Sequence, residues 1–185
     1  MIKIRHYQEK DKENVRFTCL NSDGPCDSSE KMKFFILNTF CDYFIEQEGE
    51  NCFVAADEND KAIGYVICAE NYDKYFECFV REYVPRFDED AEDDRNGAIH
   101  SADLQKEFKD EYPAHLHIDV NPEYQRMGVG HKMVDALCEH LRNKGIQGVM
   151  LTTGVDNVKG RGFYKKYGFT ELKISGEDVA YGIKL

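Results

Sequence analysis

From Ala114 to Lys144 the chain reads AHLHIDV, NPEYQR and MGVGHKMVDALCEHLRNK. Alternating apolar residues, a loop that ends at two nearby glycines, and apolar residues at helical spacing make a strand, a turn and a helix, closed by Gly145. This unit constrains the fold more than any other segment. A helix that starts at glycines leaves main-chain N–H groups unpaired and sterically open. The junction is therefore either a tight helix start or an anion cradle aided by the helix dipole. The loop is not G-x-G-x-x-G, and no G-K-[ST] follows, so dinucleotide and nucleoside-triphosphate loops fit poorly.

The flanking pattern places this unit in one sheet. MIKIRHY alternates as a first strand, and Glu9 to Leu20 reads as a short helix. Ser28 and Ser29 are suitable N-caps for a single helix from Glu30 through Gln47. CFVAADENDKAIGYVICA reads as a hairpin, with Gly64 as a bulge or close approach. GVMLTTG is a further strand, Lys159 to Tyr167 a helix stopped by Gly168, and FTELKIS and VAYGIKL the last strands. The expectation is an α/β (α+β layered) fold, with a single mixed, mostly antiparallel sheet of about six or seven strands flanked by helices.

Residues 71–112 break this rhythm, and the chain is expected to be a single domain, 1–185, carrying them as an insertion. Tyr72, Tyr75, Phe76, Phe79 and Tyr83 recur at helical spacing, whereas Arg86 to Glu111 carries ten acidic residues against four basic ones. A segment of this length is functional or a mobile, solvated loop.

The formal charge of −11 argues against nucleic acid as a partner, because such binding needs a cationic footprint. It is compatible with a cationic substrate. No run approaches a membrane span, and the N-terminus lacks the apolar core of a signal peptide. Seven scattered cysteines with no C-x-x-C pair point to a reducing cytoplasm.

Gln125-Arg126-Met127-Gly128-Val129-Gly130, with Val120 and Pro122 before it, resembles the [QR]-x-x-G-x-[GA] signature of the GNAT acetyltransferase family. NVKGRGFYKKYGF resembles the family's second element through Asn157, Gly160, Phe163, Tyr164, Gly168 and Phe169. The likeness is firm over about Leu116 to Leu172. Within the family the segment is most similar to the acetyltransferase-like domain of eukaryotic O-GlcNAcases and its stand-alone bacterial relatives. Catalytic competence in those eukaryotic domains is in doubt.

The resemblance implies acetyl-CoA as donor, lying in a splay between strands 114–120 and 148–153. Main-chain groups of Ile118 and Val120 would hold the pantetheine arm. Gln125, Arg126, Met127, Gly128, Val129, Gly130 and His131 would hold the pyrophosphate, largely through main-chain N–H groups. Tyr164 would assist the leaving thiolate and also border the cofactor; packing on the sheet is the alternative. Asn157 would contact the cofactor arm or simply cap its helix.

No motif places the base. His115, His117 and Asp119 share one nominal strand face, unless a bulge of the kind common in the family disturbs the alternation. His117 and Asp119 are the candidates, with Glu70 and Tyr72 as alternatives. The same H-x-H-x-D run has the spacing of a metal site, but no further Cys/His cluster completes one, and no metal is expected.

The reaction implied is direct acetyl transfer in a ternary complex to a primary amine, on a cationic small molecule or a protein lysine. The acidic insertion would then lie near the acceptor. A catalytically silent acyl-CoA-binding module engaging a protein partner is the second expectation, and a dimerisation domain the third. Monomer and homodimer both remain open, with no membrane partner expected.

Overall fold

The computed structural model describes residues 1–185. Seven strands form one sheet: β1 (Lys3–His6), β2 (Phe53–Ala56), β3 (Ala62–Ala69), β4 (Ala114–Val120), β5 (Gly148–Gly154), β6 (Thr170–Ser175) and β7 (Asp178–Lys184). Their order is β1-β2-β3-β4-β5-β7-β6, and every neighbouring pair is antiparallel except β4 and β5. The layered mixed sheet read from the sequence is the observed architecture.

Each face of the sheet carries its own core. On one side lie α1 (Lys12–Asn21), α2 (Glu30–Phe40), α3 (Asp42–Gln47) and α4 (Tyr72–Cys78), closing over Phe44, Tyr65, Ile67 and Phe79. On the other lie α7 (Val129–Asn143) and α8 (Val158–Tyr167). Met133, Val134, Leu137 and Leu141 make one apolar stripe on α7, packed with Leu116, Val149 and Leu151 of the central strands. β3 is buried along its whole length, which explains its nearly unbroken apolar run.

The expected helix 30–47 is two helices. Ser29 caps the first, accepting from the Met32 N–H at 3.2 Å. At Cys41 the backbone leaves helical values (φ −132°, ψ −59°), which lets α3 turn Tyr43, Phe44 and Ile45 into the core. Asp42, at the break, is held by the Arg16 guanidinium through contacts of 2.7 and 2.8 Å.

The insertion is a helical layer rather than a solvated loop. After α4 come one π-helical turn, Phe79–Tyr83, then α5 (Glu92–His100) and α6 (Asp103–Phe108). The aromatic spacing seen in the sequence is what buries it: Tyr72, Tyr75, Phe79 and Tyr83 are 0–3% exposed. Ala91, Ala98 and Ala102 are buried within the acidic part, leaving its carboxylates largely on the outer face. No helix is long and apolar enough to cross a membrane.

The candidate active site

The site begins where β4 and β5 part. Their ladder contains only Ala114↔Val149 and His115↔Met150, although each strand has seven residues. On the other edge β4 pairs with β3 without a register shift from His115 to Val120, so the bulge considered for this strand is absent from that ladder. The Asn121 N–H donates to the Ile63 carbonyl at 2.9 Å. Because antiparallel ladders alternate, positions 115, 117 and 119 turn their main-chain groups to β3. Leu116, Ile118 and Val120 therefore turn theirs toward the gap beside β5.

At the end of that gap the loop closes into α7. Arg126 (φ 63°) and Gly128 (φ 77°) both occupy the left-handed region, and Gly128 is the N-cap of α7. This backbone gathers N–H groups into a concavity suited to an anion. From Arg126 to His131 no main-chain N–H has an acceptor within the protein. Gly130 is needed for a different reason: a Cβ there would lie 3.1 Å from Cε2 of Phe163. The loop thus offers donors and lets α8 approach closely.

A cleft of about 700 Å³ follows this gap and loop. Of the residues expected to hold a cofactor, Ile118, Val120, Gln125, Arg126, Gly128, Val129, Gly130, His131, Asn157 and Tyr164 line it; Met127 does not, and its side chain is 61% exposed. Gln125 has no free donor. Its main-chain N–H reaches the Pro122 carbonyl at 3.3 Å, and its side-chain amide donates to the carbonyls of Ser22 (2.8 Å) and Val120 (3.0 Å). It ties the loop after α1 to the end of β4. Asn157 caps α8, accepting from the Gly160 N–H at 2.8 Å and donating to Thr153 Oγ1 at 2.9 Å.

The cleft is electrically polar. Arg126, Lys159 and Lys166 border the end beside α7 and α8, while Asp23 and Asp119 border the part beside α1 and β4. Asp119 is partly buried, and burial first, then the charge of Asp23, push its carboxyl up to about 6. Tyr65, across the ladder on β3, opposes this rise by donating its O–H to Asp119 Oδ2 at 2.5 Å. Tyr164 shares the cleft with Asp119; burial, reinforced by that carboxylate, raises its phenol so that it stays protonated.

The other base candidates are elsewhere. His117 shares a strand face with Asp119 but packs against Phe40 and Phe44, with ring centroids 5.7 and 5.0 Å apart, and does not line the cleft. Burial holds it down to about 4, and His115 to about 3. Glu70 pairs with Lys144 beside a separate hollow, and Tyr72 is buried under the insertion. His115 and His117 pack on aromatic rings and Asp119 meets Tyr65, so the three side chains of H-x-H-x-D do not converge into one cluster of ligands. No residue of 71–112 lines the cleft, so its acidic part comes from Asp23 and Asp119 instead.

Sequence reasoning missed Ser22, Asp23, Lys159, Lys166 and Tyr65. Lys159, Phe163 and Lys166 stand at i, i+4 and i+7, so the two lysines were readable as one face of α8. The others carry no local signal.

Residues 18–169 match the model of the acetyltransferase (GNAT) family. The chain belongs to the GNAT acetyltransferase family. N-alpha-acetyltransferase 30 of Schizosaccharomyces pombe (strain 972 / ATCC 24843) is 28% identical to this GNAT member over 131 residues, covering 71% of the chain. The chain spans 65% of that relative's length. The crystal structure of SsHAT shares the fold, with a TM-score of 0.86, 23% identity and coverage of 99% of this chain and 98% of that one. So does the PaiA N-acetyltransferase of Thermoplasma acidophilum in complex with coenzyme A, with a TM-score of 0.63, 17% identity and coverage of 100% and 99%.

Proposed function

We propose that this GNAT protein transfers an acetyl group from acetyl-CoA to a primary amine by direct attack in a ternary complex. One observation carries the reading: the main-chain N–H groups from Arg126 to His131 are unpartnered, and all of these residues but Met127 line the cleft that also holds Asp119 and Tyr164. Coenzyme A fits these residues. The N–H run, with Arg126, Lys159 and Lys166, suits its phosphates, and the edge at Ile118, with the Val120 N–H beside a carbonyl already taken by Gln125, suits an amide-bearing arm. The cleft volume lies in the usual range for small-molecule sites, roughly 300–1,000 Å³.

Acetyl-CoA supplies the acetyl group as a thioester. The ammonium first gives one proton to Asp119; the C–N bond then forms as the C–S bond breaks, and the second nitrogen proton leaves with the sulfur, so the products are the amide, the free thiol and a protonated Asp119. A free alkylamine is mostly protonated at pH 7, so removing that proton is the main acid–base task. Asp119, with its carboxyl at about 6, is ionised at pH 7 yet more basic than an ordinary aspartate. The Ile118 N–H, on the open edge of β4, serves the developing oxyanion. Tyr164 keeps its proton and offers it as a hydrogen bond to the departing sulfur. Asp23 and Asp119 favour a cationic acceptor, on a small molecule or a protein lysine. The name of the S. pombe relative supports nitrogen as the acceptor atom.

Calorimetry with coenzyme A, followed by thiol release from acetyl-CoA across a panel of polyamines, aminoglycosides and lysine peptides, tests this reading. Amine-dependent release is expected. Binding without release from any amine would instead indicate a silent acyl-CoA-binding module.

A further inference from the structure

Tyr65 has a place in this site that no motif assigns. It sits on β3 directly opposite Asp119, and the alternation that turns Asn121 to Ile63 makes 65 and 119 a hydrogen-bonded pair on one face. The ring is 1% exposed, so its hydroxyl has little access to water. A buried phenol usually takes a partner within the protein, and here the partner is Oδ2 of Asp119 at 2.5 Å. That bond engages Oδ2 of a carboxylate bordering the cleft, and with Ser22 the other hydroxyl acting on this carboxylate, Oδ1 is left without a donor held as firmly as Tyr65.

Charged and titratable neighbours come from every packed element. The loop after α1 contributes Asp23, with Ser22 as a second hydroxyl favouring the ionised carboxylate, and α8 contributes Tyr164. His117 lies two residues back on the same face of β4, and Cys19 of α1 and Cys41 of the α2–α3 junction lie beside Tyr65. Asp23 is the neighbour whose charge disfavours an ionised Asp119, and the two hydroxyls oppose it. Tyr65 is the one held rigidly, by strand register and complete burial.

We infer that Tyr65 is a positioning residue for the base: its O–H holds Oδ2 of Asp119 and reserves Oδ1 for the proton of the acceptor amine. The inference rests on the acetyl-transfer reading. It assigns the buried face of β3 a part in the chemistry of β4 without any contact between Tyr65 and the substrate.

Tyr65→Phe removes the donor and keeps the ring. The acid limb of kcat/KM is expected to move up by about one pH unit, with coenzyme A affinity unchanged within about twofold. The Asp119 carboxyl, followed by carbon-13 NMR and assigned by its loss in Asp119→Asn, moves by the same amount. Adding Tyr65→Phe to Asp119→Asn has no further effect on turnover. Should Tyr65→Phe fold poorly, 3,5-difluorotyrosine at position 65 is a stronger donor and shifts both titrations down. A folded Tyr65→Phe protein whose acid limb and carboxyl titration stay in place overturns the inference. Wild-type protein that binds coenzyme A and acetylates no amine overturns the transfer reading, and the base with it. That failure appears before any substitution is made.

Discussion

Replacing Asp119 by Asn should weaken catalysis and strengthen the fold, and the gain in stability should carry a pH signature. The carboxyl sits at about 6 in the native chain against an ordinary 3.8, because burial disfavours its charged form. Below pH 3.8 it is protonated in both folded and unfolded chains and contributes no difference. As pH rises from 3.8 to 6 the unfolded chain gives up this proton first, so the native state is progressively destabilised. Above pH 6 the penalty is complete. At 1.36 kcal/mol per pH unit its ceiling is about 3 kcal/mol, and partial solvent access at the cleft reduces this to roughly 1–2 kcal/mol. Asparagine removes the charge while its carbonyl can still accept from Tyr65. Urea unfolding at pH 4, 5, 6, 7 and 8 should show the variant gaining nothing near pH 4 and about 1–2 kcal/mol near pH 8, or roughly 3–6 °C in Tm. A gap that is constant across this range, or widest in acid, would refute the account of Asp119 as an ionised, poorly solvated base.

Tyr164→Phe should lower kcat by about 10²-fold while leaving coenzyme A affinity unchanged in calorimetry, because only a hydrogen-bond donor to the departing sulfur is lost. Gly130→Ala should weaken coenzyme A binding a few-fold, since the new methyl, 3.1 Å from Cε2 of Phe163, requires that ring at the edge of the cleft to shift by some tenths of an ångström. Calorimetry checks this, with circular dichroism confirming the fold. Lys159→Ala and Lys166→Ala should each weaken that binding a few-fold at low salt, and the losses should shrink as ionic strength rises. Losses independent of salt would remove these lysines from the phosphate end.

What could be read from the chain followed its local physics. The α7 loop was legible because strand, glycines and helix are contiguous, and a helix start has only a few anion-compatible forms. The insertion was half legible: aromatic spacing marked helices, but the acidic run concealed the buried alanines that seat α5 and α6. The break at Cys41 was hidden because both helices keep the same apolar composition. The pairing of Asp119 with a residue 54 positions away was out of reach, since it depends on the β3–β4 register. Ser22 and Asp23 come to the cleft through the Gln125 bridge, which likewise has no signature in sequence.

The parting of β4 from β5 also sets the mechanics of the molecule. β5 makes seven rungs with β7 and two with β4, so the sheet is two stiff leaves joined at one corner. The α7-side core, with Leu116 and Val149 in it, binds the leaves along one face, and on the other Leu104 and Gln105 of α6 reach Met150 and Thr152 of β5. A small rotation about Ala114 and His115 would change the width of the opening at Ile118 far more than at its root. A molecule wedged there stabilises both leaves at once. At a hundred times its dissociation constant it adds about 2.7 kcal/mol to the fold. Amide exchange at Ile118 and Val120 therefore becomes a strain gauge for occupancy.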